Sequence, residues 1–153
     1  MDLVDLDLLK LLEGNGRMSF AELAEHMNMS KTPVWKRVKA LEEAGVIEGY
    51  RARLEPSALG FGLEAIIEVT LDFDAADDFE RAVLRHPAIW RCHATTGESD
   101  YSLHVVARDM REMDDLIRYE VARFPGVART RTAVVTRAIK RDQCLSDLAR
   151  FRG

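Results

Sequence analysis

The sequence predicts an α+β protein in two parts, a small helical head followed by a body in which strands alternate with helices. Three observations carry that expectation. Apolar residues recur at helical spacing as far as Leu41, a stretch with one Pro and two Gly occupies 55–62, and runs rich in Ile, Val and Thr alternate with helical runs beyond it. At 153 residues the chain is long enough for one domain or two small ones, and its 47% hydrophobic content supplies core for either.

In chain order, Asp5 is the expected cap of a first helix whose apolar face is Leu8, Leu9, Leu11 and Leu12, ended by Gly14-Asn15-Gly16. Phe20, Leu23, Ala24 and Met27 form a second amphipathic run. Only Asn28 and Met29 separate it from Ser30, a good N-cap, after which Val34, Val38 and Leu41 recur at helical spacing up to a stop at Gly45. Two short helices joined by so tight a turn predict a helix-turn-helix, whose second helix enters the DNA major groove. The segment 46–54 mixes β-formers with charge, as a wing or short strand would.

After the break, 63–71 reads as a strand through Ile66, Ile67, Val69 and Leu71, and 75–85 as a helix closed by His86-Pro87. Segments 89–96 and 101–107 read as strands joined through Gly97-Glu98-Ser99; 110–124 is a helix with Met113, Leu116, Ile117 and Val121 inward; 127–138 is a last strand rich in Thr and Val. The order βαββαβ is that of a ferredoxin-like sandwich with both helices on one sheet face. A partner subunit is the economical cover for the other face, which makes this half a dimerisation domain. The expected division is 1–54 for a winged helix-turn-helix DNA-binding domain, 55–62 for a hinge and 63–153 for the ferredoxin-like domain.

Composition narrows the partners. No apolar run approaches the ~20 residues that cross a bilayer, and the N-terminus lacks the basic and apolar pattern of a secretory signal, so a cytoplasmic protein is expected. Cys92 and Cys144 are too few for a disulfide framework. Net charge is −4, and residues 1–55 hold 8 Lys and Arg against 10 Asp and Glu, so no whole-domain basic field draws DNA in. Affinity has to come from one place.

That place is 30–41, where Lys31, Lys36, Arg37 and Lys39 stand with no acidic residue. Steps of about 100° put Thr32, Trp35, Lys36 and Lys39 on one side of the helix and Val34, Val38 and Leu41 on the other. The lysines suit phosphate contacts, Thr32 and Trp35 a base edge or thymine methyl, and Arg37 either role. Ser30 at the tip and Arg17 before the second helix complete the expected DNA-binding set. The competing reading is a solvated charged face with Trp35 buried against the wing.

The sequence resembles the Lrp/AsnC family of transcription regulators. The resemblance rests on 2–5 before Leu8-Leu9, Gly16-Arg17, Leu23-Ala24, 30–38, Leu41-Glu42 leading to Gly45-Val46-Ile47, Thr96-Gly97-Glu98-Ser99-Asp100-Tyr101, Phe124-Pro125-Gly126-Val127 and Thr130-Arg131-Thr132. It implies double-stranded DNA and a small effector, usually an amino acid, as partners, and dimers that assemble into tetramers, octamers or hexadecamers. In the family the turn at 97–100 and its neighbours line a pocket between subunits, and carried over by alignment, Ala94, Gly97, Asp100, Met110, Ala133, Val134 and Val135 fall at effector-response positions. There the Asp100 carboxylate would meet an α-ammonium and free N–H groups an α-carboxylate, with room left by the small Ala133. From the residues alone, Gly97 to Asp100 is equally a well-made β-turn.

No cofactor, metal or catalytic residue is expected. Cys92-His93 with His104 can be drawn as a metal site, but neighbouring strand residues point to opposite faces. The alternative function is enzymatic, since sirohaem decarboxylases share this resemblance and use histidines, as His93 and His104 would be used. An intact basic recognition helix argues against it.

Overall fold

The computed structural model describes residues 1–72, 74–141 and 144–152. The chain divides into two compact units, Met1–Arg53 together with Ile139–Gly153, and Leu54–Ala138. Gly153, the last residue of the expected 63–153 domain, lies outside the described residues.

In the first unit, α1 (Leu3–Gly14) starts earlier than expected: Asp2, not Asp5, is the N-cap. Asp5 sits three residues in and closes a reciprocal capping box, each carboxylate accepting the other's backbone N–H at 2.9 Å. Ser19 and Glu22 form the same device at α2 (Phe20–His26). Asn28 then takes φ +51, the Met29 N–H donates to the Ala24 carbonyl at 2.9 Å and the Asn28 N–H to Glu25 at 3.1 Å. That pair of bonds is a Schellman turn, which satisfies the last carbonyls of α2 and redirects the chain into α3 (Lys31–Glu43) within three residues. Leu8, Leu23, Ala24, Val34 and Val38 close over one another as the core, flanked by Leu11, Leu12, Met27 and Ile47.

Of the wing or short strand expected at 46–54, the strand does not form: residues 46–53 leave α3 without pairing into a ladder. A further helix, α6 (Leu145–Arg152), belongs to this unit rather than to the second. Polar clamps hold it. The Glu13 carboxylate accepts the Leu145 and Ser146 N–H groups at 2.7 and 3.1 Å, Lys10 meets Asp147 at 2.8 Å, and Arg150 pairs with Asp7. Leu145, Leu148 and Phe151 remain exposed, which is why hydrophobic periodicity gives no sign of docking.

The second unit opens with a 3-10 turn, Pro56–Leu59, so most of the expected hinge is ordered structure of this unit. It is followed by β1 (Leu63–Leu71), α4 (Ala76–Arg85), β2 (Ile89–Ala94), β3 (Tyr101–Ala107), α5 (Met110–Asp115) and β4 (Val127–Val134) in an antiparallel sheet of order β2-β3-β1-β4. The ferredoxin-like expectation holds. Ala65, Ile67, Val69, Tyr101, Leu103, Val105 and Ala107 alternate onto one face and bury Phe79 and Val83 of α4 with Met113, Leu116 and Val121. The expected helix 110–124 widens into a π turn at Leu116–Glu120 and tightens at Val121–Arg123. A five-residue step is what brings both Leu116 and Val121 to the sheet. The last strand ends at Val134 rather than 138.

The helix-free face carries both apolar and charged side chains. Ile66 and Val106 are half-buried among Glu68, Ser102, His104, Arg131 and Ala133, so it is a mixed polar surface rather than a large apolar patch.

Candidate nucleic-acid interface and effector cavities

On α3 the division into two faces is complete. Val34, Val38 and Leu41 are buried, while Lys31, Thr32, Trp35, Lys36 and Lys39 are exposed. Trp35 is 47% exposed, which excludes burial against the wing. Ser30 is the N-cap, but its hydroxyl makes no capping bond and stays exposed beside the helix N-terminus, where backbone N–H groups also face outward. Lys31, Lys36 and the Arg17 side chain have no ion pair among the described residues, and Lys39 reaches Glu42 only at 4.0 Å.

Arg37 does something else. Its Nη1 donates to Asp2 at 2.9 Å and Asp5 at 2.6 Å, so the guanidinium is occupied by the capping box of α1 and is not presented with the lysines. The Asp5 hydrogen bond, then that of Asp2, raises the Arg37 pKa, and the Asp5 amide followed by Arg37 holds Asp2 below the ordinary aspartate value. Arg37 is therefore a positioning residue that fixes α3 against α1. Arg37→Ala is expected to lower the thermal midpoint while leaving the salt dependence of DNA binding at its wild-type slope. A lowered slope would return Arg37 to the phosphate contacts. The pH sign follows from Asp2: its folded pKa is depressed, so its contribution is present above the unfolded value and lost as pH falls through the folded one. In acid melts, Asp2→Asn is expected to remove that part of the pH dependence.

In the second unit the expected effector residues do not converge. Ala94 and Asp100 line a cavity of about 350 Å3 with Leu71, Asp72, Ala75 and Tyr101. Gly97 lies in the adjoining turn at φ +155, a conformation that favours glycine. Met110, Ala133, Val134 and Val135 lie at the opposite end of the sheet, where Ala65 pairs with Val134 and the Val135 N–H donates to Glu64 at 2.8 Å. At about 3.3 Å per strand residue, the stretch of β1 from Thr70, beside Asp100, to Ile66 and Glu64, beside Ala133 and Val135, separates the two groups by roughly 13–20 Å. Within one protomer they line no common cavity among the described residues.

Asp100 has a structural role. One carboxylate oxygen accepts the Leu71 N–H at 2.8 Å and its own N–H donates to Val69 at 2.9 Å, tying the turn to the end of β1. Beside it the Tyr101 hydroxyl donates to Glu80 at 2.7 Å, and that bond, then burial, pushes its pKa up to about 12.

His93 and His104 lie 6.0 Å apart on the helix-free face, and burial first, then His93 and Arg91, lowers the His104 pKa. Cys92 packs toward the helices instead, where burial raises its thiol pKa. Among the described residues no three His, Cys, Asp or Glu side chains converge on a metal site, and no helix is long and apolar enough to cross a membrane.

A helix-turn-helix with a cationic outer face, joined to a ferredoxin-like domain with small cavities, defines the class of ligand-responsive DNA-binding regulators. Residues 1–48 match a winged helix-turn-helix DNA-binding domain and residues 64–145 the Lrp/AsnC ligand binding domain. The chain belongs to the Lrp/AsnC family of DNA-binding transcription regulators. It is 38% identical over 148 residues to the leucine-responsive regulatory protein of Haemophilus influenzae, covering 95% of this chain and 89% of that protein, and 37% identical to the Escherichia coli protein of that name, covering 95% and 90%. The transcriptional regulator of Neisseria meningitidis solved with L-methionine superposes with a TM-score of 0.90 at 33% identity, covering 94% of this chain and 95% of that one. LrpA of Mycobacterium tuberculosis superposes at 0.77 with 30% identity, covering 94% and 99%. These relatives are regulators, which sides with regulation over the decarboxylase reading.

Proposed function

We propose that the protein is a cytoplasmic regulator that docks α3 in the major groove, with Lys31, Lys36 and Lys39 on phosphates, Thr32 and Trp35 on base edges, and Ser30 and Arg17 at the flanks. The observation that carries this is the α3 face on which Thr32, Trp35, Lys36 and Lys39 are all exposed while the opposite face is buried. The protein acts as a homodimer that assembles into tetramers or octamers, which repeats a modest basic surface along the duplex and multiplies its affinity. Its effector is an amino acid, supported by the relatives named for leucine and solved with L-methionine. Effector positions at opposite ends of one sheet unite only where copies meet, so ligand and assembly are linked. The test is sedimentation of the full chain with and without each amino acid. A ligand that stabilises the fold without moving the oligomer distribution removes the linkage.

Copies associate through the helix-free sheet faces. Ile66→Asp puts a third carboxylate between Glu64 and Glu68 on that face and is expected to weaken self-association at least tenfold by sedimentation. Wild-type association would show that the dimer uses another surface.

A further inference from the structure

We infer that α6 is a detachable strap that braces the DNA-binding head, held against α1 by a register of alternating charges and released by rising ionic strength.

Asp7, Lys10 and Glu13 recur every three residues along α1. Asp7 pairs with Arg150, Lys10 with Asp147 at 2.8 Å, and the Glu13 carboxylate accepts the Leu145 and Ser146 N–H groups at 2.7 and 3.1 Å, where the N-terminus of α6 carries its positive dipole end. Numbers fall along α6 as they rise along α1, so the helices run antiparallel and the three rungs alternate in sign. A slide of α6 by three residues one way sets Arg150 against Lys10 and Asp147 against Glu13. The other way it sets Asp147 against Asp7 and the helix N-terminus against Lys10. Like charges meet in both, so a single register is selected.

Apolar packing contributes little to this docking. Leu9 and Leu12 of α1, Ile47 after α3, and Leu145 and Ala149 of α6 border a cavity of about 450 Å3. Leu145, Leu148 and Phe151, spaced three apart on α6, stay 71, 46 and 87% exposed. Release of α6 therefore uncovers little apolar surface, and what opposes it is charge. The ion-paired side chains are about half exposed to water, where salt screens them: the Debye length falls from about 8 Å near 0.15 M ionic strength to about 3 Å near 1 M.

The strap bears on DNA reading through α1. The same helix holds Arg37 of α3 through Asp2 and Asp5, so α6 braces the helix that braces α3. The buried core they share is small, Leu8, Leu23, Ala24, Val34 and Val38, and a core of that size leaves a domain marginal without added contacts. Chain topology adds to this. The chain leaves the first unit after Arg53 and returns to it at Ile139, so docked α6 ties the two units by two covalent crossings and released α6 by one. Rising salt thus loosens the head as well as screening the lysines of α3.

Hydrogen exchange on the full chain, read segment by segment by mass spectrometry, tests this. Between about 0.05 and 1 M sodium chloride the amides of α6 are expected to exchange at least tenfold faster, with those of β1 and β3 unchanged. At the lower salt, Asp7→Arg and Arg150→Asp are each expected to expose α6 as high salt does, and the two together, which return opposite charges to that rung, to recover its protection. Arg150→Asp, which alters no residue of α1 or α3, is also expected to speed exchange in both helices at least threefold. Protection of α6 that ignores salt overturns the inference, as does wild-type protection in both single variants or failure of the double variant to recover what each loses. Release of α6 with α1 and α3 unmoved overturns it too, because α6 is then a tail and not a brace. The salt series uses the wild type alone, so it decides the matter even where a single variant does not fold.

Discussion

Replacing Lys36 and Lys39 together by alanine is expected to flatten the salt dependence of DNA binding and to weaken binding on every sequence alike. Each phosphate contact releases condensed counterions and contributes about 0.9 to the slope of log affinity against log salt. Two contacts per subunit, four in the proposed dimer, make the variant slope shallower by about 3.6, which is a factor of roughly a hundred between about 50 and 200 mM salt. The loss is large here because the rest of the chain offers little compensation: net charge is −4, and Arg37 is held by Asp2 and Asp5. Anisotropy titrations at several salt concentrations read the slope. A Trp35 variant is expected to do the opposite, altering preference between sequences while leaving the slope alone. Equal slopes for the double variant and the wild type would mean that α3 does not face the DNA backbone.

Gly126→Ala is expected to be the most damaging single methyl group in the second unit. Gly126 sits at φ +70 just before β4, and a Cβ there would fall 1.9 Å from the Ala75 Cβ at the start of α4. The left-handed backbone costs a non-glycine residue about 1–2 kcal/mol. Forced overpacking adds about 1–3 kcal/mol, and backbone relief is limited because the Gly126 carbonyl accepts the Asp72 N–H at 2.7 Å. Together, about 2–5 kcal/mol is a large part of the ~5–15 kcal/mol that holds a typical domain. Gly60 provides the control, with φ +88 and no atom within 4 Å of an added Cβ, so Gly60→Ala carries the backbone cost alone. Chemical denaturation of the two variants should separate them clearly. Equal losses would mean that Ala75 and the start of α4 move aside without cost.

Much of the fold and of the DNA-facing surface is legible in the amino-acid sequence alone. Helix ends are decided by chemistry within a few residues, so Ser30 as a cap, the two-residue Asn28-Met29 turn and the split of α3 into Val34-Val38-Leu41 and Thr32-Trp35-Lys36-Lys39 follow from the sequence itself. The βαββαβ order follows too, because period-2 and period-3.6 patterns alternate cleanly from 63 to 134. Asp2 in place of Asp5 is a small displacement within the same turn, since both carboxylates take part in one capping box.

What stays hidden depends on groups brought together from far along the chain. Arg37 reads as one more cation until Asp2 and Asp5, more than thirty positions earlier, are found on its guanidinium. Helix α6 carries too little buried apolar surface to announce itself, and it joins the first unit through Glu13, 132 positions from Leu145. The seven aligned effector positions fall into two groups on one chain, because a set of residues carries no distance and several residues of β1 lie between them. That Glu68 stands opposite Arg131 follows from strand register alone. Local sequence thus settles which elements form and which face of each is apolar, through hydrogen bonds and side-chain spacing a turn or two long. Only tertiary structure settles which charges are already held by a partner, because that depends on long-range proximity.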